Sequence, residues 1–243
     1  MRYVYLIFAA VPFVCFCRAT QAEVPQAGRQ VAQQFQHPDF PELKLGYLLY
    51  LPRDFGQANQ KAPLLLFLHG AGERGDEIAL VKTHGPPRLL EQGQHLPFVV
   101  VSPQCPREQR WDPELLLALL DDLCSRYSID PARVSVTGLS LGGSGTWSLI
   151  AADPGRFAAA VPICGRANPW MVNPASQVPV WIVVGDKDAP GLVSNCRAME
   201  NSLQLRGADI KLTIMHGIGH DSWSQTYATP EVYDWILRQR RKE

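Results

Sequence analysis

The chain predicts an α/β fold: a mostly parallel central sheet with helices on both faces and no cap domain. Three observations carry this. Short runs at residues 64–68, 98–101 and 180–184 are continuously apolar rather than alternating, as strands covered on both faces are. Stretches with helical apolar spacing separate them, most clearly the stripe at residues 115–123. Glycine-rich turns follow the strands directly, where ligands meet an open parallel sheet. In order, strands are expected at 45–51, 64–68, 98–101, 133–137, 158–163, 180–184 and 210–215. Helices are expected from Pro113 through the 115–123 stripe, and at 141–151, 192–205 and 230–240. No repeat or low-complexity tract divides the chain.

The amino-terminus reads as a cleaved signal over residues 1–22. Arg2 precedes an apolar run at 3–16, then Thr20-Gln21-Ala22 offers small residues. The run falls short of the ~20 residues of a membrane span, and no later segment is long and apolar enough to anchor the chain. Lipidation at Cys15 or Cys17 has a poor small-residue context. Export, to a periplasm or outside the cell, is therefore expected. Residues 23–41 read as a flexible polar leader, and 42–243 as one domain.

With 23 basic and 23 acidic residues the formal charge is zero, which gives no pull toward nucleic acid or an anionic membrane. Four cysteines follow the signal: Cys105, Cys124, Cys164 and Cys196. In an oxidising compartment at least one pair among them is expected to bridge, with connectivity unread and buried free thiols the alternative. No Cys-x-x-Cys pair or clustered Cys/His spacing predicts a metal site, and no cofactor is expected.

The chemistry-bearing residues lie just after the strands. Ser140 sits in GLSLGG, a G-x-S-x-G pattern between a β-branched strand and a helix-compatible stretch. Such a serine is held on a sharp turn that needs Gly138 and Gly142 to avoid clashes. His69-Gly70-Ala71-Gly72 follows an earlier strand. The backbone N–H groups of Ala71 and Leu141 are the proposed donors to an oxyanion. Gly185-Asp186-Lys187-Asp188 offers two carboxyls to orient a histidine. Asp188 is favoured, because Asp186 lies nearer the strand and could brace the turn. His220 lies in a glycine-flexed loop, whereas His216 ends a strand and reads as packed. His37, His84 and His95 carry no assigned role. The order Ser140, Asp188, His220 is that of a nucleophile-acid-base set on such a sheet.

With these residues in place, the chain resembles an α/β-hydrolase of the predicted peptidase or phospholipase/carboxylesterase-like group, related to dienelactone hydrolases and polyhydroxybutyrate depolymerase-like esterases. The resemblance rests on LHGAGERGD at 68–76, SPQCP at 102–106 followed by Trp111, GLSLGG at 138–143, GDKD at 185–188 and GHDSW at 219–223. It implies Ser140 as nucleophile, His220 as base, Asp188 as acid, and Ala71 with Leu141 as oxyanion donors. Val184 stands where relatives often place histidine, which keeps Asp186 in contention. Glu73 and Arg74 also match, either as loop-shaping groups or as substrate contacts. The implied activity is cleavage of small-molecule or polymer-borne carboxylic esters. A serine peptidase of the same fold and a catalytically silent binding module are the alternatives. The segment 164–179 is too short for a helical cap and reads as a plain loop. It predicts an open groove, edged by Trp111, Trp170 and Trp223 if their loops converge.

Overall fold

The computed structural model describes residues 25–57 and 60–241. The expected signal segment lies outside the described residues. Eight strands form one sheet: β1 (Gln30–Gln36), β2 (Lys44–Tyr50), β3 (Ala62–Leu68), β4 (Val99–Pro103), β5 (Ile129–Leu139), β6 (Ala159–Ile163), β7 (Val180–Gly185) and β8 (Ile210–Met215). Their order is β1-β2-β4-β3-β5-β6-β7-β8. Strand β2 runs antiparallel to both its neighbours, β1 and β4, and the remaining neighbours pair in parallel.

The helices are α1 (Gly85–Glu91), α2 (Pro113–Arg126), α3 (Leu141–Ala152), α4 (Val172–Ala175), α5 (Pro190–Gln204), α6 (Trp223–Ala228) and α7 (Pro230–Arg238). Every residue from Leu64 to Leu68 is buried, as are all of β6 and β7, which is why these runs do not alternate. Helix α2 starts where Asp112 accepts the Glu114 N–H at 2.9 Å and Pro113 occupies the first turn. It buries Leu115, Leu116, Leu119, Leu120 and Leu123. Burying five leucines contributes roughly 1.5–3 kcal/mol each before entropy is subtracted.

Three expectations need correction. The polar leader is not loose: β1 lies within it and pairs with β2 along its whole length, sending Val31 and Phe35 into the core. Its glutamines hid this, because an edge strand needs only one apolar face. The 164–179 segment is not a plain loop, since a 3₁₀ turn at Pro169–Met171 runs into α4. It still carries no cap, and Asn195 pins it to α5 by accepting from the Ala167 N–H and donating to the Ala167 carbonyl, each at 2.9 Å. Finally, Cys105, Cys124, Cys164 and Cys196 are all free thiols. They sit on separate elements and pack as small apolar groups, and burial raises all four, Cys105 and Cys196 to about 11.

Candidate active site

The central strand β5 ends at Leu139, and the chain reverses through Ser140 into α3. Ser140 has φ 52° and ψ −110°, a sparsely populated conformation for a residue with a Cβ. It is held there by its N–H on the Ile163 carbonyl at 2.9 Å and by the Ser144 N–H on its own carbonyl at 3.0 Å. The glycines follow from crowding: a Cβ on Gly142 would overlap the Leu68 carbonyl, and one on Gly138 the Gly142 carbonyl. Tight contact between α3 and the end of β3 thus sets the elbow beside the His69 loop.

The loops after β7 and β8 are stitched together. The Lys187 N–H donates to the Ile218 carbonyl at 2.9 Å, and the Asp186 N–H to the Met215 carbonyl at 3.0 Å. Any side chain on Gly185 would strike the Ile218 and Gly219 carbonyls. This seam carries His220 over Ser140, where Nε2 lies 2.9 Å from the serine Oγ. On the other side of the ring, Nδ1 lies 2.7 Å from Asp188 Oδ2. The other Asp188 oxygen accepts the Ala189 N–H at 2.6 Å, which fixes the carboxylate plane. A carboxylate facing Nδ1 selects the Nδ1–H tautomer, leaving the Nε2 lone pair toward the hydroxyl.

Asp186 is used otherwise: it accepts the Gly217 N–H at 2.8 Å and pairs with His216 at 2.8 Å. His216 is 98% exposed, not packed as its position at the strand end suggested. Asp221 accepts the Ser224 N–H at 3.0 Å at the head of α6.

Ala71 opens a 3₁₀ turn (Ala71–Glu73) and Leu141 opens α3, so neither N–H has a carbonyl one turn back within its own helix. The quoted motifs hold that first turn in shape. Arg74 donates from Nε to the Ala71 carbonyl at 3.0 Å and from Nη1 to the Gln109 carbonyl at 3.1 Å. Gln104 Nε2 bridges the Glu73 and Glu77 carbonyls, both at 2.9 Å. Buried His69 donates from Nδ1 to the Gly70 carbonyl at 2.6 Å and accepts the Cys105 N–H on Nε2 at 3.0 Å. Burial pushes its imidazole down to about 4, so Glu73, 3.8 Å away, faces a neutral ring.

The three tryptophans part company. Trp223 is half-buried against His220, rings 5.4 Å apart and perpendicular. Trp170 is 63% exposed on the turn before α4. Trp111 is buried, donates to the His69 carbonyl at 3.2 Å and packs on Gly145, so it is a scaffold residue and not a groove edge. His84, given no role from the sequence, lies beside Trp223 at 5.6 Å and 3.7 Å from Glu73. Nothing in its local sequence signalled this, because Glu73 belongs to the 3₁₀ turn Ala71–Glu73 and Trp223 to α6, far along the chain.

The sheet order, the elbow and the loops above its carboxyl edge define an α/β-hydrolase fold. The model of the dienelactone hydrolase family matches residues 104–233, and the chain belongs to that family. Among solved structures it is similar to a thermostable esterase, with 31% identity and a TM-score of 0.75 over 87% of this chain. It spans 63% of that esterase's length. A serine-to-alanine variant of the feruloyl esterase module from Clostridium thermocellum, complexed with sinapinate, superposes with a TM-score of 0.65, 16% identity and 88% coverage of both chains. Fluorophosphonate-binding serine hydrolase F of Staphylococcus aureus gives 0.67 at 14% identity, covering 88% of this chain and 100% of its own. No curated protein matches the sequence.

Proposed function

We propose that the protein is an exported serine hydrolase that cleaves carboxylic esters through an acyl-enzyme. The single observation that carries this is the relay Ser140 Oγ to His220 Nε2 at 2.9 Å and His220 Nδ1 to Asp188 at 2.7 Å, on a strained elbow. In this reading His220 takes the Ser140 proton as Oγ attacks the ester carbonyl, and returns it to the departing alcohol. Water then repeats the cycle against the acyl-enzyme. Asp188 holds the tautomer and stabilises the imidazolium. The Ala71 and Leu141 N–H groups receive the oxyanion, a contribution worth about 10²–10³ in rate per donor. Membership of the dienelactone hydrolase family and the likeness to a thermostable esterase support ester chemistry. Export rests on the pattern of residues 1–22.

The test is a fluorophosphonate probe beside an ester assay. Wild type should be labelled on Ser140, and Ser140→Ala should lose label and on the order of 10⁶ in kcat. Unlabelled wild type would mark a silent module, and wild-type rates in Ser140→Ala would sink the assignment of the nucleophile. With no cap over the elbow, dissolved short-chain esters should be preferred to emulsified long-chain triglyceride. A rate jump at the lipid interface would reveal a mobile cover and refute the open groove.

A further inference from the structure

Cys164 is the residue after β6, and its backbone has φ 42°, in the left-handed region that residues with a Cβ rarely occupy. That conformation sets the thiol against the Ser140 backbone and the Ser222 side chain, close to the His220–Asp188 pair. The Cys164 sulfur, an Asp188 carboxylate oxygen and a His220 ring nitrogen all lie within 4.8 Å of one another. Among the described residues, this is the one group of three such side chains so placed. The fully buried Ser222 hydroxyl meets the same thiol, so Cys164 is held in place beside the pair.

We propose that Cys164, Asp188 and His220 form an inhibitory site for a zinc-type divalent ion. One sulfur, one imidazole nitrogen and one carboxylate oxygen, with water in the fourth position, are a set zinc takes, at ~2.3 Å to sulfur and ~2.0–2.2 Å to nitrogen and oxygen. The sulfur must close on the ion, while the His220 and Asp188 atoms, now 2.7 Å apart in a hydrogen bond, must part to admit it. Protons balance simply. The ion displaces the Cys164 thiol proton, which leaves to solvent, and binds His220 at Nδ1. The Nδ1 proton moves to Nε2. An Nε2–H cannot accept the Ser140 proton, so the bound ion disables the base without touching the serine.

The binding stands apart from the serine-hydrolase reading, whereas the inhibition rests on it. Cobalt(II) titrated into the full chain should produce a near-ultraviolet sulfur-to-cobalt charge-transfer band that saturates at one equivalent. Cys164→Ser and Cys164→Ala should abolish the band and weaken binding by at least ~100-fold, since loss of mere outer-shell partners costs 10–100-fold. Zinc should suppress fluorophosphonate labelling of wild type reversibly with EDTA, and should leave the Cys164 variants labelled at their metal-free level. Should those variants not fold, cadmium NMR of the unsubstituted protein reads sulfur ligation directly. Absence of the band, its survival in both variants, or a cadmium shift lacking sulfur overturns the site. Cobalt binding through sulfur by a wild type that fluorophosphonate never labels would uphold the site and reject the hydrolase reading instead.

Discussion

His69 and His220 both follow strands at the carboxyl edge of one sheet, yet the fold uses them in opposite ways. His69 is wholly buried, with both ring nitrogens committed to backbone groups, and burial holds it neutral. His220 is half-exposed, with one nitrogen on a carboxylate and the other on a hydroxyl that can give up its proton. The pair teaches that the residue type and the strand end do not make a base. What matters is whether the second nitrogen faces a backbone N–H, which never leaves, or a group that reacts.

The largest expected effect separates the two directly. His220→Ala should lose on the order of 10⁶ in kcat, as removal of the base does in another triad enzyme, while the protein stays folded. His69→Phe should do the converse: orphaning the Cys105 N–H and the Gly70 carbonyl costs about 1–3 kcal/mol per group, seen as a lower midpoint in urea. Equal losses of rate at unchanged stability in both variants would erase the distinction.

The two aspartates repeat the contrast at smaller scale. Asp188→Asn should cost ~10⁴ in kcat, because the amide favours the wrong imidazole tautomer. Asp186→Asn keeps an oxygen for the Gly217 N–H and loses only an exposed pair with His216, so its rate should stay near wild type. The reverse ordering in ester assays would hand the orienting role to Asp186.

Much of this arrangement was legible in the sequence, for a physical reason. Strands buried on both faces need unbroken apolar runs, so β3, β4, β6 and β7 announced themselves. The glycines of the elbow and of Gly185 are demanded by carbonyls that any side chain would strike. Strand β1 was missed because an edge strand hides two apolar residues among glutamines. Helix α1, opening Gly-Pro-Pro, reads locally as a turn until its prolines occupy the first helical turn. Trp111 was misplaced because an indole beside a site and an indole beneath it share one sequence signature. The Cys164, Asp188 and His220 cluster is formed by three loops far apart in the chain, and no spacing rule reaches across them.

The smallest expected effect sharpens the comparison by pH. In the unfolded chain His69 takes a proton near its ordinary 6.5, whereas in the fold burial delays protonation to about 4. Between those values the unfolded state binds more protons than the native one, so stability must fall as pH drops from 6.5 toward 4 and level off with respect to this residue below it. A depression of that size amounts to about 3 kcal/mol at most across the window, with none of the penalty present above pH 6.5. His69→Gln, which can still donate to Gly70 and accept from Cys105 but cannot titrate, should flatten this stretch of the acid limb while leaving other groups' contributions in place. Urea midpoints measured from pH 7 to pH 4 on both proteins check it. Parallel curves would mean that His69 protonates in the fold as readily as outside it, and that its contrast with His220 is one of position alone.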